Sequence, residues 1–158
     1  MKQMRTKLLL FSSLVLILFS GSYSTNAQVK NPVKWVQTVK KLSGGKYELQ
    51  MNATLEKGWH IYSQTTPEGG PVPTSFVFTK NPLVTLTGPV KEIGKMETHF
   101  EKLFDVNVKQ FSGQVNFVQT VTVKGNVKTN VTGTVEYMLC NDRECLPPAK
   151  KTFTFQLQ

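Results

Sequence analysis

From Lys46 to Leu55 the sequence alternates without a break. Tyr47, Leu49, Met51, Ala53 and Leu55 are apolar, and Lys46, Glu48, Gln50, Asn52 and Thr54 between them are polar. Successive side chains of an extended chain point to opposite faces, so such a run is a strand with one buried and one wet face. The pattern returns at Val115, Phe117, Val121 and Val123, interrupted on its apolar side by Gln119. It returns again at Val131, Gly133, Val135, Tyr137 and Leu139, and finally at Phe153, Phe155 and Leu157. Shorter β-rich runs cover Val33 to Val39, Trp59 to Tyr62, Ser75 to Thr79, Leu83 to Leu86 and Phe104 to Phe111.

Turn-forming residues separate these runs: Ser43-Gly44-Gly45, Lys57-Gly58, Lys80-Asn81-Pro82, Gly88-Pro89, Ser112-Gly113 and Gly125-Asn126. No stretch shows a capped 3.6-residue period, and the one candidate helical turn is Met96 to Leu103. The expectation is an all-β fold, an immunoglobulin-like antiparallel β-sandwich, with a closed barrel as the runner-up. Two stretches depart from the strand pattern. Thr66 to Pro73 is a Pro/Gly loop that no central strand could accommodate. Glu92 to Leu103 reads as a polar connection carrying His99 and Phe100. Irregular connections on a rigid sandwich are common places for function.

The N-terminus is of another kind. Lys2, Arg5 and Lys7 precede the apolar run Leu8 to Phe19, and small residues lead to Ala27. This is the layout of a secretory signal peptide, with Thr25 and Ala27 at the −3 and −1 positions of a cleavage site. The apolar run is shorter than the ~20 residues that span a bilayer, which argues against an uncleaved anchor. No cysteine follows it, so no lipid anchor is expected. Removing residues 1–27, with three cations, from 158 residues at +9 leaves 131 residues at +6. The expected product is one exported, soluble, periplasmic domain over residues 28–158. Its remaining positive charge is spread along the strands without a nucleic-acid motif.

Two cysteines remain, too few for a disulfide scaffold or a four-cysteine zinc site. In an extended chain Cys140 and Cys145 would lie ~16 Å apart; a bond between them requires reversal through Asn141 to Glu144, a four-residue hairpin loop. Closing so short a loop stabilises a fold by roughly 2 kcal/mol, well below a long-range link. A domain of this size can bury a core without cross-links. A local, accessible pair therefore suits thiol exchange, while a structural hairpin clip and a metal site stay open as alternatives. The flanking charges, Arg143, Lys150 and Lys151 against Asp142 and Glu144, do not mark either cysteine as the nucleophile.

Other constellations carry less. His60 and His99 with the cysteines lack a dense ligand motif, and Met51 belongs to an apolar strand face rather than a copper site, so no metal and no cofactor is expected. Gly44-Gly45-Lys46 lacks the rest of a phosphate loop, and no Gly-x-Ser-x-Gly elbow occurs. Asn52 and Asn130 open glycosylation sequons that fall in strand runs. Trp35 and Trp59 are packing residues in this reading.

The stretch Thr134 to Pro148, TVEYMLCNDRECLPP, ends a strand in Tyr, places a close Cys pair and follows it with Leu and two prolines. With Gly58-Trp59-His60-Ile61-Tyr62 and the Phe104/Phe111 spacing, it resembles the N-terminal periplasmic domain of the thiol:disulfide interchange protein DsbD, the disulfide bond corrector family. The likeness covers essentially the whole chain after Ala27. It implies a redox disulfide under a cap loop on an immunoglobulin-like sandwich. Electrons would arrive from a membrane-embedded thiol transporter, here expected in trans, and pass to periplasmic thioredoxin-fold proteins. It implies Cys145 as the cysteine of the mixed disulfide and Cys140 as the resolving one. Phe104, with Phe100 as the neighbouring alternative, would be the shield, and Tyr62 and Tyr137 the aromatics near the pair. Lys102 and Leu103 stand where the best-known form has acids. The competing expectation is a non-enzymatic immunoglobulin-like binding or assembly module with a structural hairpin disulfide.

Overall fold

The computed structural model describes residues 30–125 and 127–158. The expected signal peptide, residues 1–27, and Asn126 of the Gly125-Asn126 turn lie outside the described residues. The strands are β1 (Val33–Lys41), β2 (Lys46–Leu55), β3 (His60–Tyr62), β4 (Ser75–Phe78), β5 (Val84–Glu101), β6 (Val106–Val123), β7 (Thr129–Tyr137), β8 (Leu139–Cys140) and β9 (Ala149–Leu157). No helix occurs among the described residues.

All pairings are antiparallel. The larger sheet runs β1-β2-β6-β3-β8, and β5 lies along the other edge of β6. The smaller sheet runs β4-β7-β9. Among the described residues no ladder joins the two, so the architecture is the expected sandwich and not the barrel. The alternation in the sequence is the reason the sheets stack. Leu49, Met51 and Ala53 of β2 and Val115, Phe117 and Val121 of β6 present one apolar face. Val131 and Val135 of β7 and Phe153, Phe155 and Leu157 of β9 present the other, and all of these are buried in one cluster. Trp35 of β1 lies across the seam, with ring centroids 6.0 Å from Phe117, 5.2 Å from Tyr137 and 5.6 Å from Phe153. Gln37 Nε2 donates to the Thr154 carbonyl at 2.7 Å and Tyr47 OH to that of Gln158 at 2.6 Å, tying β1 and β2 to β9.

The structure corrects the reading of residues 83–111. Glu92 to Leu103 is not a connection, and Met96 to Leu103 is not a helical turn. Up to Glu101 both belong to β5, which pairs with β6 from Val84 to Glu101, and Lys102 and Leu103 open the turn that follows. The register shifts twice, between Thr87 and Lys91 and between Gly94 and Met96. Each irregularity sets extra residues of one strand against the other, and most side chains of β5 are exposed, so the strand carries no continuous apolar alternation for a sequence reading to find. From Val106 on, the runs at Phe104 to Phe111 and Val115 to Val123 are likewise one strand, β6, with Gly113 at φ 74°, while Phe104 and Asp105 lie in the turn before it. Gln119, the polar interruption, is buried and has a task at the first irregularity. Its Nε2 lies 3.3 Å from the carbonyl oxygen of Thr87, 3.2 Å from that of Gly88 and 2.8 Å from that of Thr120.

Candidate active site: a cysteine hairpin on the outer face of the larger sheet

At the β3 end of the larger sheet the two faces separate cleanly. Ile61, Leu139 and Phe111 point into the main core. Their neighbours His60, Tyr62, Cys140, Val108, Gln110 and Ser112 occupy the opposite face, because adjacent residues of a strand alternate. A second apolar cluster forms there from Tyr62, Val108 and Cys140, with Val106, Met138 and Cys145 against it. The site is thus built on the far side of the sheet from the core.

Cys140 and Cys145 form a disulfide with a Cα–Cα distance of 4.1 Å. The reversal runs through Asn141 to Glu144, as the spacing requires, and the hairpin has its own bonds. Asn141 N donates to the Glu144 carbonyl and Leu146 N to that of Leu139, both at 2.9 Å. Asn141 Oδ1 accepts from the amides of Arg143 and Glu144, each at 2.9 Å, an Asx turn that explains why Asn stands at this position. Cys140 is wholly buried, whereas Cys145 is half-buried. The sulfur nearer solvent is therefore the one an external thiolate can approach.

Facing this hairpin is the turn Lys102–Asp105 that joins β5 to β6. Phe104 N donates to the Glu101 carbonyl at 3.1 Å, and Asp105 takes the left-handed conformation at φ 56°, which Asp tolerates better than most residues. Between turn and hairpin lies a groove of about 590 Å³ whose walls include His60, His99, Phe100, Leu103, Asn141 and Asp142. Phe100 is 47% and Leu103 62% exposed. Phe104 is half-buried and stands outside the apolar cluster that surrounds the disulfide. From the other flank the Thr66–Pro73 loop closes in. Thr66 Oγ1 donates to the Lys109 carbonyl at 2.7 Å, and a Cβ on Gly70 would come within 2.8 Å of Val106 Cγ1.

Of the residues singled out from sequence, the structure brings Cys140, Cys145 and Tyr62 together and places Phe100 and Phe104 at the facing turn. Tyr137 sits in the main core against Trp35. Two groups had no assigned role. His60 Nε2 lies 3.0 Å from Tyr62 OH, and Tyr62 OH donates to Glu101 Oε2 at 3.1 Å. His60 Nε2 and Glu101 Oε2 are 3.7 Å apart, and all three residues are buried. Burial lowers the His60 pKa below the usual imidazole range, with Glu101 pulling the other way; burial first, and then Glu101, raises that of Tyr62. The sequence signal for His60 was its place within the apolar run Trp59-His-Ile-Tyr62. Glu101 left none, since its strand was itself hidden. Among the described residues no group of three or more His, Cys, Asp or Glu side chains is placed to hold a metal ion.

Over residues 29–157 the sequence matches the family model described as Thiol:disulfide interchange protein DsbD, N-terminal. The chain belongs to this family. The crystal structure of the Neisseria meningitidis DsbD N-terminal domain in the reduced form is similar, with a TM-score of 0.52 and 14% identity. It covers 78% of this chain and 90% of that one. The N-terminal periplasmic domain of ScsB from Proteus mirabilis also gives a TM-score of 0.52, at 17% identity over 81% of this chain. The chain spans about half of that ScsB domain, 51% of its length. No curated protein matches the sequence. As a DsbD N-terminal domain with an immunoglobulin-like sandwich, the protein is a thiol–disulfide exchange domain, and Cys140–Cys145 is its disulfide. Among the described residues no helix is long and apolar enough to cross a membrane.

Proposed function

We propose that this domain relays reducing equivalents in the periplasm, from a membrane-embedded thiol transporter acting in trans to thioredoxin-fold proteins. Residues 1–27 serve as its cleaved export signal and residues 28–158 as the single working domain. The observation that carries the reading is the unequal burial of the two sulfurs within a hairpin that has its own hydrogen bonds. In the reduced domain the Cys145 thiolate attacks one sulfur of an acceptor disulfide, and the acceptor's other sulfur leaves as a thiolate and takes a proton. Cys140 then attacks Cys145, expels the acceptor's remaining thiolate and re-forms the internal bond. Two electrons have moved, and the donor restores the dithiol by the reverse sequence. Phe104, on the turn that faces the hairpin, and Phe100, near the end of β5, restrict approach to the pair until a partner occupies the groove, and Tyr62 packs beneath it.

The direct test is to express Cys140→Ser, which keeps Cys145 but cannot resolve a mixed disulfide. Covalent complexes with thioredoxin-fold proteins are expected in the native host, and their absence counts against the relay. A redox titration is the second measure. A potential below about −300 mV is that of a structural disulfide and would favour the non-enzymatic binding module instead.

A further inference from the structure

The buried His60–Tyr62–Glu101 chain lies on the same sheet face as Cys140, and exchange chemistry leaves a proton there to be handled. Resolution of a mixed disulfide needs Cys140 as a thiolate, yet Cys140 is wholly buried in an apolar cluster that disfavours the charged form. We propose that His60 is the proton acceptor for the Cys140 thiol in the step that closes the disulfide, and that Tyr62 and Glu101 hold the imidazolium that results. This rests on the exchange reading above.

His60 and Cys140 are direct register partners on β3 and β8. Such partners carry their Cβ atoms on one face roughly 4.5–5.5 Å apart, within the reach of an imidazole to a sulfur. The hydrogen-bond chain fixes the tautomer. Tyr62 has a single hydroxyl proton, which goes to Glu101 Oε2, so His60 Nε2 must itself carry hydrogen and donate to Tyr62 oxygen. That leaves Nδ1 as a bare acceptor. When Nδ1 takes the thiol proton, the new cation lies 3.7 Å from a carboxylate oxygen. The Cys140 thiolate attacks Cys145 Sγ, the partner's sulfur leaves with the bonding pair, and the proton on His60 is available to that thiolate. Around His60, Glu101 and Asp142 favour the cation while His99 opposes it, and Lys102 lines the same groove. Burial outweighs the acids and lowers its pKa, so at neutral pH the ring is the free base this step requires.

The test uses the reduced protein and a small aromatic disulfide whose thiolate is coloured. Attack by Cys145 releases one coloured thiolate, and closure by Cys140 releases the second in a phase independent of reagent concentration. In the wild type the closure rate should rise with pH through a point below the ordinary imidazole range and then level. His60→Gln should slow closure at neutral pH by about a hundredfold, the lower end of general-base effects. Its rate should go on rising towards the thiol range near pH 8.5. Glu101→Gln keeps His60 but removes the counter-charge, so the inflection should move to lower pH. A His60→Gln profile that superimposes on the wild type overturns the proposal. If that variant does not fold, a Glu101→Gln inflection that stays in place does so. Because the reagent stands in for any partner, a wild type that closes its disulfide here but is never oxidised by thioredoxin-fold disulfides overturns the relay and not the His60 assignment.

Discussion

Reduction of Cys140–Cys145 should cost little and leave the sandwich intact. The bond closes a loop between residues only five apart in sequence. The chain-entropy relation then gives roughly 2 kcal/mol of stabilisation through the unfolded state. No part of the main core depends on it, because both sulfurs lie on the opposite face of the sheet. The hairpin also keeps the Asn141–Glu144 and Leu146–Leu139 backbone bonds and the Asn141 Asx turn after the sulfurs part. By linkage, the fold stabilises the bond by the same amount that the bond stabilises the fold. At about 30 mV per 1.4 kcal/mol for two electrons, the folded pair should be only ~45 mV more reducing than the same pair in the unfolded chain. Urea unfolding of the oxidised and dithiol-reduced forms, followed by far-UV circular dichroism, measures the difference. The expected result is a midpoint shift at nearly equal slope, since the surface exposed on unfolding is nearly the same. A loss of more than about 4 kcal/mol would exceed the loop-closure ceiling, and a collapsed slope would show the native state itself changing. Either would make the bond a staple of the fold and refute the argument from its location.

Gln119→Leu should destabilise by about 1–3 kcal/mol, because it removes a buried donor that bonds the carbonyls of Thr87, Gly88 and Thr120; a urea midpoint unchanged from the wild type would contradict that role. Gly133→Ala places a Cβ 2.7 Å from Phe78 Cδ1 and 2.9 Å from Cε1, and overpacking of that kind costs typically about 1–3 kcal/mol, again read by urea. Stability should fall on acidification. The folded-state pKa of His60 is lowered, so its contribution is complete above the unfolded value of 6.5 and is lost as pH falls through the folded value; urea midpoints between neutral and mildly acid pH should show a drop that His60→Gln reduces. Phe104→Ala and Phe100→Ala should raise the rate at which a small dithiol reduces the bond without lowering the unfolding free energy read from urea by more than about 1 kcal/mol, as expected for partly exposed side chains. Unchanged reduction rates in both variants would remove the shielding role.

What the sequence showed of this fold follows the visibility of its period. β2, β7 and β9 each present one face to the core without interruption, and their apolar residues were readable one by one. β5 was not. Most of its side chains are exposed, its stretch Lys91 to Thr98 includes Lys91, Glu92, Lys95 and Glu97, and two register shifts interrupt its pairing with β6, so no apolar face repeats along it. The same blind spot hid Glu101, since a residue is expected at a buried site only when its strand is known to reach there. The cysteine hairpin was legible for the opposite reason. Its geometry depends on four intervening residues, among them an Asn suited to the turn, and on nothing distant. Tyr137 lies between the two cases. Its distance along the chain from Cys140 is short, but three residues on a strand that turns from one sheet into the other are enough to put it in the main core with Trp35.

The division of faces gives a reason for placing exchange chemistry on β3 and β8. A disulfide that alternates between bonded and free sulfurs must change local volume and charge without disturbing packing that is dense everywhere else. Alternation along β3 meets that requirement with three consecutive residues. Ile61 anchors the strand in the core, while His60 and Tyr62 look the other way, towards Cys140 and Glu101. The backbone of β3 is held on both edges, by β6 and by β8, so the reacting groups hang from a segment that cannot shift when the bond opens. Beside them, Lys102, Leu103 and Asp105 of the facing turn and Asp142 and Arg143 of the hairpin tip are exposed. Support held on both edges beneath the sulfurs and exposed covers beside them let the pair open and close while the main core stays packed.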